Sequence, residues 1–288
     1  MIPATPPIVD AHQHYWRPAR GDYGWLTPAC GALYRDWLPH DLRPLLEDAA
    51  IAATVLVQAA PTEAETDELL RIARDEPSVA GVVGWVDLEA HDAPARIDAL
   101  VARAGGRLLG LRPMLQDLDD PEWIARPALD AGFDAMVAHG LVLDILARPS
   151  HMAAVRARLL RHPRLRAVLD HCGKPAIAAG ADPEWARQLA AFARDTGAYC
   201  KLSGLLTEAP AGAGVDTLSP WVAHVFACFG GKRVLWGSDW PVLNLAGDYA
   251  GWLALALALV HRHAPAGEAA VFGGNARTLY DLDRRTTA

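Results

Sequence analysis

Eight short apolar runs, each followed by a stretch with helical spacing, govern what this 288-residue chain can fold into. The runs cover 8–12, 53–58, 79–86, 108–111, 140–146, 165–171, 198–203 and 233–239. Most carry Val, Leu, Ile or Ala at both alternating positions, the pattern of strands buried on both faces. Between them apolar residues recur every three to four positions: Leu42, Leu45 and Leu46; Leu69, Ile72 and Ala73; Ile97, Leu100 and Val101. Local signals punctuate the helices. Thr62 with Glu65 forms a capping-box pattern, Gly105 closes the Ile97 stripe, Pro127 splits a helix over 121–138, Ser150 is placed to cap the helix of Val155, and Asp182 opens the one that Gly197 ends. Strands separated by one helix each must pair in parallel through right-handed crossovers. Eight such units in one chain predict a single-domain (β/α)8 TIM barrel over 1–288, rather than an open doubly wound sheet. No Gly-x-Gly-x-x-Gly follows an early run, which argues against a dinucleotide site.

Composition narrows the partners. With 52% hydrophobic and 21% charged residues the chain can bury a large core, and a formal charge of −7 without a basic cluster argues against nucleic acid or an anionic membrane as partner. The most apolar helical run, 252–260, is far short of the ~20 residues a bilayer requires. No basic segment followed by an apolar signal core opens the sequence, so the expectation is a cytoplasmic enzyme of a small molecule. Its four cysteines, widely spaced, read as reduced thiols. A homo-oligomer is compatible with these features.

In such a barrel the reactive groups collect where strands end. His12 and His14 leave the first strand on one face, since side chains two apart in a strand point the same way. Taken alone, the pair reads equally well as rim residues packed on Tyr15 and Trp16. Gln58, Asp87, Arg112 and Asp144 follow at the ends of the next four, then His171 with Lys174, Lys201 with Ser203, and Asp239. His139 and His162 fall at the opposite ends, and His224, His261 and His263 lie on helices, where structural or solvated roles are expected. His151 can reach a ligand or merely cap a turn. A loop over 15–37 carries Trp16, Tyr23, Trp25, Tyr34 and Trp37, too long and aromatic for a plain connection, although a packed surface loop has the same composition.

Val9-Asp10-Ala11-His12-Gln13-His14, Leu169-Asp170-His171-Cys172-Gly173-Lys174, Gly237-Ser238-Asp239-Trp240-Pro241 and the terminal Gly274-Asn275-Ala276-Arg277-Thr278-Leu279-Tyr280 together resemble the amidohydrolase superfamily. The likeness is greatest to its amidohydrolase-2 branch of TIM-barrel hydrolases, which includes sugar lactonases of the fuconolactonase and rhamnonolactonase types. The resemblance implies that His12, His14, His171 and Asp239 surround the reacting centre, with Asp239 as base for water; the residues themselves add Arg112, which with the histidines can donate to the oxyanion of a lactone carbonyl. Trp25, Gln58, His151, Lys174 and Tyr23 are then the expected substrate contacts. Two departures concern metal. Arg112 stands where binuclear members bridge two ions, and Asp144 where many mononuclear members use histidine, so at most one Zn²⁺ on His12, His14, His171 and Asp239 is expected, not essential for turnover. Arginines are too few for the dicarboxylate of the pyrone-dicarboxylate lactonases, which favours a neutral sugar lactone. The alternatives are such a lactonase, or a metal-dependent decarboxylase of an unsaturated or aromatic acid. A barrel that binds sugar acids without catalysis is a third.

Overall fold

A computed structural model describes residues 7–285. Eight parallel strands lie in sequence order: β1 Ile8–Gln13, β2 Ile51–Val57, β3 Val79–Gly84, β4 Leu108–Leu111, β5 Val142–Ile145, β6 Ala167–Leu169, β7 Tyr199–Leu202 and β8 Val234–Trp236. The alternating helices are α1 Pro39–Asp48, α2 Glu63–Asp75, α3 Ala93–Ala104, α4 Asp130–Ala138, α5 Met152–Arg161, α6 Pro183–Asp195, α7 Val215–Phe229 and α8 Tyr249–His263, followed by α9 Asn275–Tyr280 and α10 Leu282–Arg285. This is the (β/α)8 barrel that the alternation predicts.

Two apolar layers hold it together. Side chains of Val9, Val55, Val83, Val142, Val168 and Leu235 fill the barrel, and Ala276, Leu279 and Tyr280 of α9 plug its lower end. The other faces of the strands pack on the helices through a second, larger cluster that includes Leu56, Leu111, Leu143 and Leu169. Burial on both faces explains the near-continuous apolar reading of each strand. Closure between the last strand and the first is made by the segment after β8: the Asp239 amide donates to the His12 carbonyl at 2.8 Å, and the His14 amide to the Trp240 carbonyl at 2.8 Å. The two chains run so close there that a Cβ on Gly237 would lie 2.8 Å from the Cβ of His12. Glycine is required by that approach.

Local signals hold with instructive exceptions. Thr62 caps α2 by accepting from the Glu65 amide at 3.0 Å, but the Glu65 carboxylate turns away from the box and accepts from the amides of Ala59 and Ala60. Pro127 does break its helix, leaving two short 3-10 turns before α4. Ser150 does not cap α5. His151 fixes that turn instead, its Nδ1 accepting from the Arg148 amide at 3.1 Å. All four cysteines are free. Among the described residues no helix is long and apolar enough to cross a membrane.

Candidate active site

The strand ends bring three of the sequence-predicted histidines around one carboxylate oxygen of a fourth predicted residue, Asp239. Asp239 Oδ1 lies 3.4 Å from His14 Nε2, 3.7 Å from His12 Nε2 and 3.8 Å from His171 Nε2. Each ring is oriented from behind. His14 Nδ1 faces the Val57 carbonyl at 2.7 Å, and since a carbonyl only accepts, this nitrogen carries the hydrogen and Nε2 presents a lone pair. His171 Nδ1 meets the Ser203 hydroxyl at 2.9 Å. A left-handed run of four residues after β6, from His171 (φ +52°) to Lys174 (φ +52°), turns that ring inward against Gly204, where a Cβ would lie 2.7 Å from the ring's Cγ. Asp239 itself has φ +59°, a conformation that aspartate tolerates better than most residues. Asp10 staples the two halves: its Oδ1 accepts from the amides of His12 (3.1 Å) and Ser238 (2.8 Å), and its Oδ2 from the Tyr249 hydroxyl (2.9 Å).

Below the imidazoles runs a buried ionic network. Lys201 Nζ lies 2.5 Å from Asp144 Oδ2, 3.0 Å from Asp170 Oδ1 and 3.0 Å from His12 Nδ1, and Tyr280 reaches up from α9 to donate to Asp144 at 2.9 Å. Arg112 Nη1 lies 3.2 Å from Asp170 Oδ2 and 3.3 Å from His12 Nε2, while its Nε and Nη2 donate to Gln58 Oε1 at 3.0 and 2.8 Å. Cations thus face His12 from both sides. Burial first, then the Lys201 charge, hold its pKa well below the ordinary histidine value, so His12 is neutral. Burial likewise lowers His171 to about 4. Asp239 goes the other way from its burial: in the acidic range where it titrates, the charged His171 ring, with His14 and His12 beside it, outweighs desolvation and holds the carboxyl well below the usual range. Asp170 is also held low, because Lys201 and His12 overcome its desolvation, whereas burial leaves Asp144 raised.

Above this network lies a cavity of about 470 Å³. Its polar lining comprises His14, Arg112, His171 and Asp239 at the base, with Gln116, Asp117 and Lys174 higher up. Trp16, Trp25, Leu33, Val242 and Leu245 make an apolar wall opposite, so the 15–37 loop is both wall and packed unit. Trp25 is anchored by its indole N–H on the Ala59 carbonyl at 2.7 Å and keeps 37% of its surface exposed. Lys174 lines the cavity but is paired with Glu208 at 3.0 Å.

Three expected contacts lie elsewhere. Tyr23 is buried within the loop's own cluster, on the side of Glu65. His151 is consumed by its turn, and Gln58 sits beneath the cavity holding Arg112. Gln116 and Asp117, which the sequence reading passed over, line the cavity in their place.

The arrangement can hold a cation as well as a water. His12, His171 and Asp239 each place a ligand atom within 4.8 Å of the others, and His14 Nε2 lies 3.2 Å from His12 Nε2. Such spacings match the edges, about 3.4 Å, of a tetrahedron with zinc–nitrogen bonds near 2.1 Å. The lone pair that His14 aims at a carboxylate also calls for a shared hydrogen or a metal between the two.

Residues 9–282 match the sequence profile of the amidohydrolase family. An L-fucono-1,5-lactonase from Burkholderia ambifaria is 45% identical over 280 residues, covering 96% of each chain. One of the same name from Burkholderia multivorans is 36% identical over 288 residues, covering 95% of this chain and 96% of the other. An amidohydrolase of Burkholderia multivorans crystallised with bound zinc superposes with a TM-score of 0.89 at 35% identity, covering 96% of this chain and 99% of that one.

Proposed function

From a chain that belongs to the amidohydrolase family, we propose hydrolysis of a neutral sugar lactone of the L-fucono-1,5-lactone type to the open aldonic acid. The observation that carries this reading is the cavity floor: a carboxylate ringed by three imidazoles with a guanidinium beside them, under a wall suited to a sugar ring. The likeness to two lactonases across nearly the whole chain supports it. Charge supports neutrality of the substrate. The cavity lining holds two cations, Arg112 and Lys174, and two carboxylates, Asp117 and Asp239. Both cations are already paired, with Asp170 and Glu208, which leaves no clamp for a dicarboxylate or for the acid of a decarboxylation.

The chemistry follows from the residues. A water at the floor hydrogen-bonds to the acceptors Asp239 Oδ1 and His14 Nε2, its oxygen turned to the lactone carbonyl. Asp239 takes a proton as the oxygen adds to the carbonyl carbon. The developing oxyanion is stabilised by the Arg112 guanidinium and imidazole N–H groups, each well-placed donor contributing ~3 kcal/mol. The ring carbon–oxygen bond then breaks, and Asp239 returns the proton to the departing alkoxide. A strongly ionised carboxylate is a weak base, and the reaction tolerates this because a lactone is more electrophilic than an amide and its alkoxide leaves without nitrogen protonation.

A Zn²⁺ ion would be held by His12, His14, His171 and Asp239, where it would polarise the carbonyl or acidify water. We infer that turnover does not depend on it, since Arg112 already places a fixed positive charge at this point. A pH-indicator assay over a panel of aldonolactones, with protein as isolated and after chelation, tests both statements. Acid release from an L-fuconolactone that persists after chelation is expected. Activity abolished by chelation and restored by zinc would overturn metal independence, and inactivity on every aldonolactone would overturn the substrate class.

A further inference from the structure

Resting on the sugar-lactone reading, we propose that Asp117 is a specificity-determining residue that favours the neutral lactone over its anionic product, through the field of its carboxylate at the cavity mouth. Hydrolysis changes the charge of the ligand. The lactone is neutral, whereas the aldonic acid, with a carboxyl pKa of about 4, is an anion at neutral pH. Arg112 is placed to retain that anion, since a donor set for an oxyanion also binds a carboxylate through charge-assisted hydrogen bonds. Turnover therefore requires a group that opposes the product without opposing the substrate.

Asp117 is such a group. It ends a 3-10 turn, Leu115–Asp117, that follows β4. The turn is tied down: the Asp117 amide donates to the Met114 carbonyl at 3.1 Å, and the Gln116 amide to the Leu146 carbonyl at 3.0 Å. Met114, Asp117 and Leu146 all line the cavity. Asp117 is exposed, and among the described residues its carboxylate has neither an ion pair nor a hydrogen bond. The cations of the site are each balanced by a carboxylate: Arg112 faces Asp170 at 3.2 Å, Lys174 faces Glu208 at 3.0 Å, and Lys201 beneath them faces Asp170 at 3.0 Å. The Asp117 charge is thus uncompensated, and it acts on an anion in the cavity without touching it. A sphere of the cavity's volume, about 470 Å³, is roughly 10 Å across, which is the Debye length at about 0.1 M salt. The apolar wall of Trp25, Leu33, Val242 and Leu245 confines the field within that space. A neutral lactone feels little of it.

The test uses two ligands of one shape, the aldonate and its uncharged aldonamide, as inhibitors of L-fuconolactone hydrolysis. The ratio of their inhibition constants, aldonate over aldonamide, isolates the effect of charge, and thermal melting is the control for folding. Asp117→Asn is expected to lower this ratio about 3–10-fold at low salt. Asp117→Glu, which keeps the charge, should hold it near the normal value. Asp48→Asn makes the same change in net charge at an exposed residue that ends α1, at the opposite end of the barrel, and should leave the ratio in place. Adding about 0.5 M NaCl should shrink the difference between the unaltered enzyme and Asp117→Asn, because exposed charges are screened. A ratio in Asp117→Asn within about twofold of normal, an equal fall in Asp48→Asn, or a fall that salt does not diminish would overturn the assignment. Inactivity of the unaltered enzyme on all aldonolactones would instead refute the substrate reading, and this assignment with it.

Discussion

Replacing Arg112 by methionine separates its two roles. The guanidinium donates to Gln58 through Nε and Nη2, so its plane is fixed before substrate arrives, and Nη1 is shared between Asp170 and the reaction floor. Losing one preorganised donor to an oxyanion costs ~3 kcal/mol, or about 10²–10³-fold in kcat. Stability should fall less than the 3–5 kcal/mol typical of breaking a buried pair, because Asp170 retains Lys201 at 3.0 Å; about 2 kcal/mol is expected. Arg112→Lys keeps a charge but cannot serve Gln58 and Asp170 at once, so it should recover roughly tenfold of the lost rate. Acid release followed with an indicator gives kcat and KM, and urea denaturation gives the stability change. A folded Arg112→Met enzyme within about threefold of normal kcat/KM would refute a role for the guanidinium in polarising the carbonyl.

Two further sites probe the scaffold. Lys201→Met removes the cation that Asp144 and Asp170 share and should destabilise the protein by about 3–5 kcal/mol, whereas adding Asp144→Asn to it should recover part of the loss; unchanged denaturant midpoints would contradict the buried network. Glu65 offers a pH test: burial pushes its carboxyl up to about 7 despite amide donors from Ala59 and Ala60. The folded state therefore binds the proton more tightly than the unfolded one, and stability from this group is full below the unfolded value near 4.5 and declines as pH rises through 7. The decline amounts to about 3 kcal/mol, and Glu65→Gln should flatten the stability profile between pH 5 and about 8; an equally steep profile in the variant would assign the slope to other groups.

The barrel was legible because its alternation of doubly buried strands and single-striped helices leaves few other topologies. The grouping of His12, His14, His171 and Asp239 was legible for a related reason: once strand ends are known, polar residues at those ends share one mouth. Depth was not legible. Asp144 and Lys201 occupy strand ends like the others, yet they lie beneath the floor and neutralise each other, and only the burial of both shows that they serve the scaffold. A sequence signal did exist, since an acid in one apolar strand and a lysine in another imply a buried pair. The aromatic loop misled in detail. Composition could not tell that Trp25 faces the cavity while Tyr23 turns inward to Glu65, because both rings satisfy the same pattern. Gln116 and Asp117 sit in an irregular turn with no periodicity to assign a facing direction, and His151 was a cap in a position where a ligand contact reads the same.

The central claim, that Asp239 activates water for attack on a sugar lactone, is tested most directly by Asp239→Asn. The amide preserves shape and leaves Gly237 and the His12 carbonyl contact in place, but it cannot take a proton. Steady-state acid release from an L-fuconolactone by the folded variant should fall at least about 10²-fold, with KM changed far less. Near-normal turnover by Asp239→Asn, with its fold verified by circular dichroism, would contradict the account and move the base to another residue.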